Sequence, residues 1–474
     1  MCEQDGVRSP PRRDLLKKLA CGFGYLALAG MGSEASAAGQ RTNPLAPKPP
    51  HFKPKAKRVI FLFMQGGPSH IDTFDPKPRL DADNGKSIEF NVARTRKVQA
   101  RTVLKSPWKF KQYGESGQQV SDLFPRIAQH VDKLCFIHSM HTEGVAHGPA
   151  TIFLHTGATA SVRPSMGSWV TYGLGTENQN LPGFVTINPT QNMGGARNYS
   201  NAFLPAAYQG TALGRAGQPA AQAKFRHVTN GLIPLDQQKK QFDFLQALNR
   251  GQAQEAAHDD ELEAAIDSYE LAYRMQMNAP EVTDLSKESP ATLKLYGIGE
   301  AETDDFGRQC LMARRFAEAG VRYIQVNYSD NGNNPKWDQH SNLKMHEKHA
   351  RATDQPSVGL LMELEARGLL EDTLVWWGGE FGRTPFSEAP DGRDHNPTGF
   401  TIWLAGGGVK RGLSYGETDE YGFDAIKDKV HMHDLHATVL HLLGMNHEKL
   451  TYRYAGRDFR LTDVAGRVVN EIMA

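Results

Sequence analysis

Apolar residues are distributed along the chain in two alternating patterns. Short unbroken blocks such as "RVIFLFM", "LCFI", "VRYIQVNY", "TLVWW" and "GFTIWLA" end in glycine or a polar loop, the pattern of strands buried on both faces. They predict strands from Arg58, over Leu134–Ile137, within Pro182–Pro189, and over Val321–Tyr328, Thr373–Trp377 and Gly399–Ala405. Between them apolar positions recur at helical spacing. Leu123, Ile127, His130 and Val131 share one face, Asp304 to the stop at Gly320 forms a second helix, a third runs through Leu369, and Leu435, Val439, Leu442 and Leu443 mark a covering helix within Val430–Met445. Strands alternating with helices predict an α/β fold with a mostly parallel central sheet and helices on both faces.

The remaining stretches carry weaker patterns. Lys77 to about Gln118 is polar without a sustained period and is expected to be an excursion; Ser161 to Pro234 is loop-rich. A helical insertion is expected near 235–295, where alanine and charge dominate and tyrosines and methionines serve packing.

The N-terminus has a different character. Arg12-Arg13 precedes the apolar run Leu19–Met31, and Ala35-Ser36-Ala37 offers a small-residue cleavage site, so residues 1–37 have the form of a twin-arginine export signal. Cys21 lies in a poor lipid-attachment context. The chain is therefore expected to be exported to the periplasm or beyond, without stable membrane insertion, and 38–57, rich in proline and lysine, to act as an extended linker before one domain over 58–474. Net charge is +1, which gives no nucleic-acid footprint. Only Cys135 and Cys310 lie beyond the signal; one bridge is open to them, two buried thiols being the plainer reading.

Candidate chemistry collects where predicted strands end, the place ligands occupy in open α/β sheets. After the first strand, Gly66-Gly67-Pro68 opens a loop with Ser69, His70, Asp72 and Asp75. "HTEGVAHGPATIFLHTGA" is a glycine-punctuated loop entering a helix at about Pro149, with His147 beside the helix start. Asp330, Asp338, His340, His346 and His349 follow the strand ending at Tyr328. Glu380, Arg383, Arg393, Asp394 and His395 fill the loop between the last two predicted strands.

Taken together, "GGPSHIDTFDPKP", "HGPATIFLHTG", "WDQH", "GGEFGRTP", "GRDHNP" and "HDLHATVLHLLGM" closely resemble the exported family of unknown function numbered 1501, itself similar to the alkaline phosphatase and sulfatase superfamily. The resemblance covers nearly everything after the linker. It implies an alkaline phosphatase/sulfatase-like fold and places Glu380 at the aspartate of a metal motif, with Phe381 where a second ligand would stand. His147 occupies the nucleophile position, and Gln65 stands where an aspartate is expected. Asp338, His340 and His395 are the implied metal ligands, with Asp394 beside them and His346 as the alternative to His340.

A set of Asp and His ligands suits a divalent metal, zinc first and calcium second. Glu380 is then a ligand or general base, Arg383 clamps an anion with its planar fork, and Ser69, His70 and Arg393 contact substrate. The expected activity is metal-dependent hydrolysis of a small anionic ester or a sulfated or phosphorylated glycan. The competing expectation is a degenerate, metal-free relative that binds anionic glycans at the cell surface. Every candidate also has a structural reading: Asp338 as a helix cap, Glu380 paired with Arg383 or Arg393, the histidines as hydrogen-bonding groups of polar loops.

Overall fold

The computed structural model describes residues 43–225, 233–255, 269–271, 273–275 and 279–474. The expected export signal lies outside these residues, as does part of the expected helical insertion, of which the helix Leu235–Glu255 and the short helix Pro290–Leu295 are described. No helix among the described residues is long and apolar enough to cross a membrane.

The core is a nine-stranded sheet. Its strands in chain order are β1 (Arg58–Met64), β2 (Leu134–His141), β3 (Phe184–Ile187), β4 (Thr211–Leu213), β5 (Tyr323–Tyr328), β6 (Thr373–Gly378), β9 (Phe400–Ala405), β10 (Leu413–Tyr415) and β11 (Val430–His431), with the hairpin β7 (Gly382–Glu388) and β8 (Gly392–Asn396) inserted between β6 and β9. The order across the sheet is β10-β2-β9-β6-β1-β5-β3-β4, and β11 also pairs with β2. β1 is parallel to both β6 and β5, and β3 to both β5 and β4.

β1 shows why the apolar blocks are unbroken. Ile60, Leu62 and Met64 point into one core and Val59, Phe61 and Phe63 into the other, as the two-residue period of a strand requires. Helices α3 (Asp304–Glu318) and α4 (Met345–Ala366) cover the first core; α1 (His147–Thr156), α2 (Met166–Leu174) and α5 (Met432–Leu442) cover the second. Cys310 sits in the first and Cys135 in the second, both as buried free thiols.

Three expectations are corrected, and the expected excursion over Lys77–Gln118 is filled in with structure. The block Gly399–Ala405 forms β9, but antiparallel to β6 and β2, because the β7–β8 hairpin returns the chain without a helical crossover. Lys77–Gln118 contains ordered hairpins, Ser87–Val92 with Lys97–Thr102 and Phe110–Tyr113 with Gln118–Ser121. Phe90 and Val92 of the first pack with Phe386 and Phe423 in a small separate core. The helix expected around Ile127 is a 3₁₀ segment, Ile127–Lys133. The described part of the expected linker is strapped to the domain: Leu45 is buried, Lys48 N–H donates to the Leu174 carbonyl at 2.9 Å and Lys55 N–H to the Leu442 carbonyl at 2.8 Å. Proline denies this segment regular structure, and helix C-termini supply the acceptors it meets.

Several histidines serve as neutral core material. Burial lowers His155 to about 4 and His346 and His436 to about 3 from the ordinary 6.5. The unfolded imidazoles take up protons near 6.5 while the folded ones do not, so stability is intact above that value and falls as pH drops toward 4, by about 1.4 kcal/mol per pH unit per histidine. The urea midpoint is expected to be flat between about pH 7 and 8 and to fall steadily below about pH 6.5. A midpoint unchanged down to about pH 4.5 would show these histidines to be protonated in the fold.

Candidate metal centre

β2, β6, β1 and β5 all run in the same direction, and the candidate residues gather where these strands end. After β1, Gly66 turns with φ +108°, and a Cβ there would lie 2.7 Å from Trp337 N and 2.8 Å from Asp338 N. Only glycine lets the segment following β5 close on the end of β1, where Trp337 N–H donates to the Gln65 carbonyl at 3.1 Å. On the other side Arg393 N–H, at the start of β8, donates to the Gln339 carbonyl at 2.9 Å. The "WDQH" segment is thus clamped between two strand ends, and Asp338 and His340 project from it.

His147 is the first residue of α1 and His395 lies on β8. With Asp338 and His340 they form a group whose ligand atoms all lie within 4.8 Å of one another. Asp338 Oδ1 is 3.1 Å from His147 Nε2, 3.0 Å from His340 Nε2 and 3.4 Å from His395 Nε2. His340 and His395 bring their Nε2 atoms to 2.9 Å. Two donors each about 2.0–2.1 Å from one tetrahedral zinc stand about 3.3 Å apart, so these separations suit a shared small cation.

The far sides of the rings are fixed as well. His147 Nδ1 meets Glu380 Oε1 at 2.6 Å, His340 Nδ1 meets Glu388 Oε2 at 2.5 Å, and His395 Nδ1 meets the Val145 carbonyl at 2.9 Å. All three acceptors select the tautomer with hydrogen on Nδ1 and a lone pair on Nε2, the outer-shell arrangement that orients metal-ligating histidines. His147 Nε2 is fully buried and makes no hydrogen bond of its own. The donor set therefore fits a divalent metal.

The electrostatics of the group agree with its geometry. Burial opposes ionisation of Asp338, but the surrounding His147, His340 and His395 rings and the nearby Arg383 guanidinium hold its carboxyl far below the usual range. Burial lowers His147 while Asp338 and Glu380 raise it, with a net upward shift; His340 is raised by Asp338, and His395 is lowered by burial.

The other sequence candidates surround the group. Glu380 is fully buried, accepts the Gly66 N–H at 3.0 and 3.1 Å on its two oxygens, and holds His147 from behind; it pairs with neither Arg383 nor Arg393. Phe381 packs its ring against His147 and His395 at centroid distances of 5.0 and 4.5 Å. Arg383, expected to clamp an anion, is completely buried and spends its donors on Asp338 Oδ1 at 2.7 Å and the carbonyls of Gly66, Gly67 and Arg393.

Ser69, His70 and Arg393 are not brought to the cluster. Arg393 forms a two-pronged, fully buried pair with Asp72, at 2.7 and 3.1 Å, and Ser69 Oγ donates to the same carboxylate. His70 Nε2 bonds the Gly422 carbonyl at 2.7 Å. All three are sealed under the loop, His70 and Arg393 by partners distant in sequence and Ser69 by Asp72 three residues on. His346 is likewise excluded, its Nε2 accepting the Ser69 N–H at 3.2 Å, so His340 is the histidine that joins Asp338. Asp394 belongs to an adjoining group with His340 and Glu388, where Arg94 lies 3.3 Å from Glu388 and 3.6 Å from Asp394.

Sequence reasoning missed Glu388 and the Val145 carbonyl. The signal for Glu388 is the turn Pro390-Asp391-Gly392, which marks a hairpin and places Glu388 on the strand opposite Gly392. A cleft of about 870 Å³ lies elsewhere, lined by Arg126, Lys294, Asp354 and Gln355 among others and by none of the four cluster residues.

A family described as protein of unknown function (DUF1501) matches residues 56–473. The chain belongs to this family. No curated protein matches it. Among solved structures, the chain is similar to a protein in the alkaline phosphatase superfamily from Vibrio parahaemolyticus at 10% identity, over 91% of this chain and 74% of that one, with a TM-score of 0.38. Alkaline phosphatase from the Antarctic bacterium TAB5 aligns at 10% identity over 77% of this chain and 95% of its own, with a TM-score of 0.33. Ps i-CgsB in complex with k-i-k-neocarrahexaose aligns at 11% identity over 82% and 72%, with a TM-score of 0.36.

Proposed function

We propose that this member of the DUF1501 family is an exported, zinc-dependent hydrolase of sulfate or phosphate monoesters, with anionic glycans as its substrate class. The observation that supports it is the convergence of three histidine Nε2 atoms on one carboxylate oxygen, each ring held from behind by a separate acceptor. His147, Asp338, His340 and His395 would hold the ion. Three imidazoles favour zinc over calcium, which takes oxygen ligands. A divalent ion there supplies Lewis-acid stabilisation to charge developing on an ester oxygen.

The chain's own groups prepare the centre. Glu380, Glu388 and the Val145 carbonyl keep the Nδ1 protons in place, so the Nε2 lone pairs face inward. Arg383 balances the Asp338 charge from beneath, and Phe381 fixes the tilt of two rings. His147 serves as a ligand in this reading rather than as the nucleophile. His340, with its side chain 27% exposed, is the most open of the four and marks the side from which an ester approaches.

A second reading is favoured by the donor count: four protein donors match closed structural zinc sites, and the protein is then a binder of anionic glycans without turnover. Metal analysis of the purified protein, with turnover of aryl sulfate and aryl phosphate panels, separates the two. Stoichiometric zinc with turnover supports the hydrolase; zinc without turnover supports the binder; metal-free, inactive protein removes both metal-based readings. Glu388→Gln is expected to weaken zinc affinity about 10–100-fold, read by chelator competition, because a neutral amide holds the His340 Nδ1 proton less well. Unchanged affinity would assign Glu388 to pairing with Arg94 alone.

A further inference from the structure

Beside the loop that carries Asp338 lies a cavity of about 460 Å³ between the first turns of α3 and α4 and the end of β5. None of the four cluster residues lines it. Its size falls in the ordinary range for small-molecule sites. Tyr328, Phe306 and Ala352 supply apolar wall, and Lys336, Lys344 and Lys348 supply charge.

The balance of that charge is uneven. Glu302 and Glu347 are both engaged by Arg351, at 3.5 and 3.4 Å, and Glu347 also accepts from Trp108 Nε1 at 3.3 Å. Asp305 accepts the Ala220 N–H at 2.6 Å and the Gln309 amide at 3.1 Å. Arg351 offsets one of the two glutamates and Asp305 meets only neutral donors, so Lys336, Lys344, Lys348 and Arg351 stand against Glu302, Glu347 and Asp305 and leave a net charge of +1 in the lining. The three lysines make no ion pair among the described residues.

Lys336 is the informative member. Its side chain is half-buried, with Nζ 4.0 Å from the centroid of the Tyr328 ring rather than extended into solvent. A cation–π contact offsets only part of the cost of withdrawing an ammonium from water. Four cations against three carboxylates around a concave, partly apolar space leave one positive charge for an anion to meet. Lysines are point charges that approach a tetrahedral oxyanion from any side, without the planar pairing that arginine imposes.

We infer that this cavity binds a sulfate or phosphate monoester, its anionic head on Lys336, Lys344 and Lys348 and its body against Tyr328 and Phe306. It is a second site, separate from the metal centre, and stands whether or not that centre turns over substrate.

The test is calorimetric titration of the full chain with phenyl phosphate, phenyl sulfate and, as the uncharged control, phenol. Saturable binding of at least one ester and none of phenol is expected, weakening as salt is raised. Binding should persist in His395→Ala protein and fall about tenfold or more in Lys336→Met, the loss typical of one charge-assisted contact. If Lys336→Met does not fold, Lys344→Gln/Lys348→Gln decides, with a several-fold loss expected. A preference between the esters names the head group and supports the site either way. Absence of saturable binding, or binding lost in His395→Ala yet unchanged in the lysine variants, overturns the proposal.

Discussion

Asp338→Asn protein is expected to lose its bound zinc and at least about 10²-fold in ester turnover, the lower bound being what outer-shell changes alone cost a metal site. Asp338 is the only carboxylate among the four converging residues, and its Oδ1 lies within 3.4 Å of all three Nε2 atoms. Asparagine keeps the volume and removes the charge. It presents either a neutral oxygen or an N–H group to lone pairs that need a cation. Metal content by mass spectrometry and kcat/KM on an aryl ester provide the readout, with the thermal midpoint as control. Full metal occupancy in the variant would show that the histidines alone make the site, and full turnover would locate the chemistry elsewhere.

The second large effect is structural. Asp72→Ala leaves the Arg393 guanidinium completely buried without its carboxylate, where it now makes contacts at 2.7 and 3.1 Å. Breaking one side of such a pair costs about 3–5 kcal/mol, most of it the stranded charge. Replacing both partners, as Asp72→Leu/Arg393→Met, should recover most of that loss, since the pair's mutual attraction mainly offsets its own desolvation. Urea denaturation of the single and double variants measures both quantities. A loss below about 1 kcal/mol in the single variant would mean that water reaches Arg393. The pair joins the loop after β1 to β8, so its loss should also loosen the seat of His395.

The fold was legible where pattern maps directly onto geometry. Blocks such as "RVIFLFM" and "TLVWW" are strands because both faces are covered, and alternation with helices gave the mostly parallel sheet. The direction of β9 was not legible from its own residues. A buried strand looks alike in either sense, and only the hairpin turn at Asp391-Gly392 shows that the chain doubles back. The site divides in the same way. His147, Asp338, His340 and His395 could be picked out because loops leaving parallel strands converge at one edge. Which way most of the neighbouring polar side chains point depends on partners far away in the chain. Ser69, His70 and Arg393 looked like substrate contacts until Asp72 and the Gly422 carbonyl appeared as their partners. Arg383 faced the same ambiguity, settled by the backbone carbonyls of Gly66 and Gly67.

The two thiols sit one on each side of the sheet, Cys135 in the layer that holds Phe61 and Trp376, Cys310 in the opposite layer with Ile60 and Trp377. Neither is reachable by an alkylating reagent while its own layer is closed. Pulsed labelling followed by peptide mass analysis would time the opening of the two halves separately, turning a pair of unremarkable core residues into clocks for unfolding.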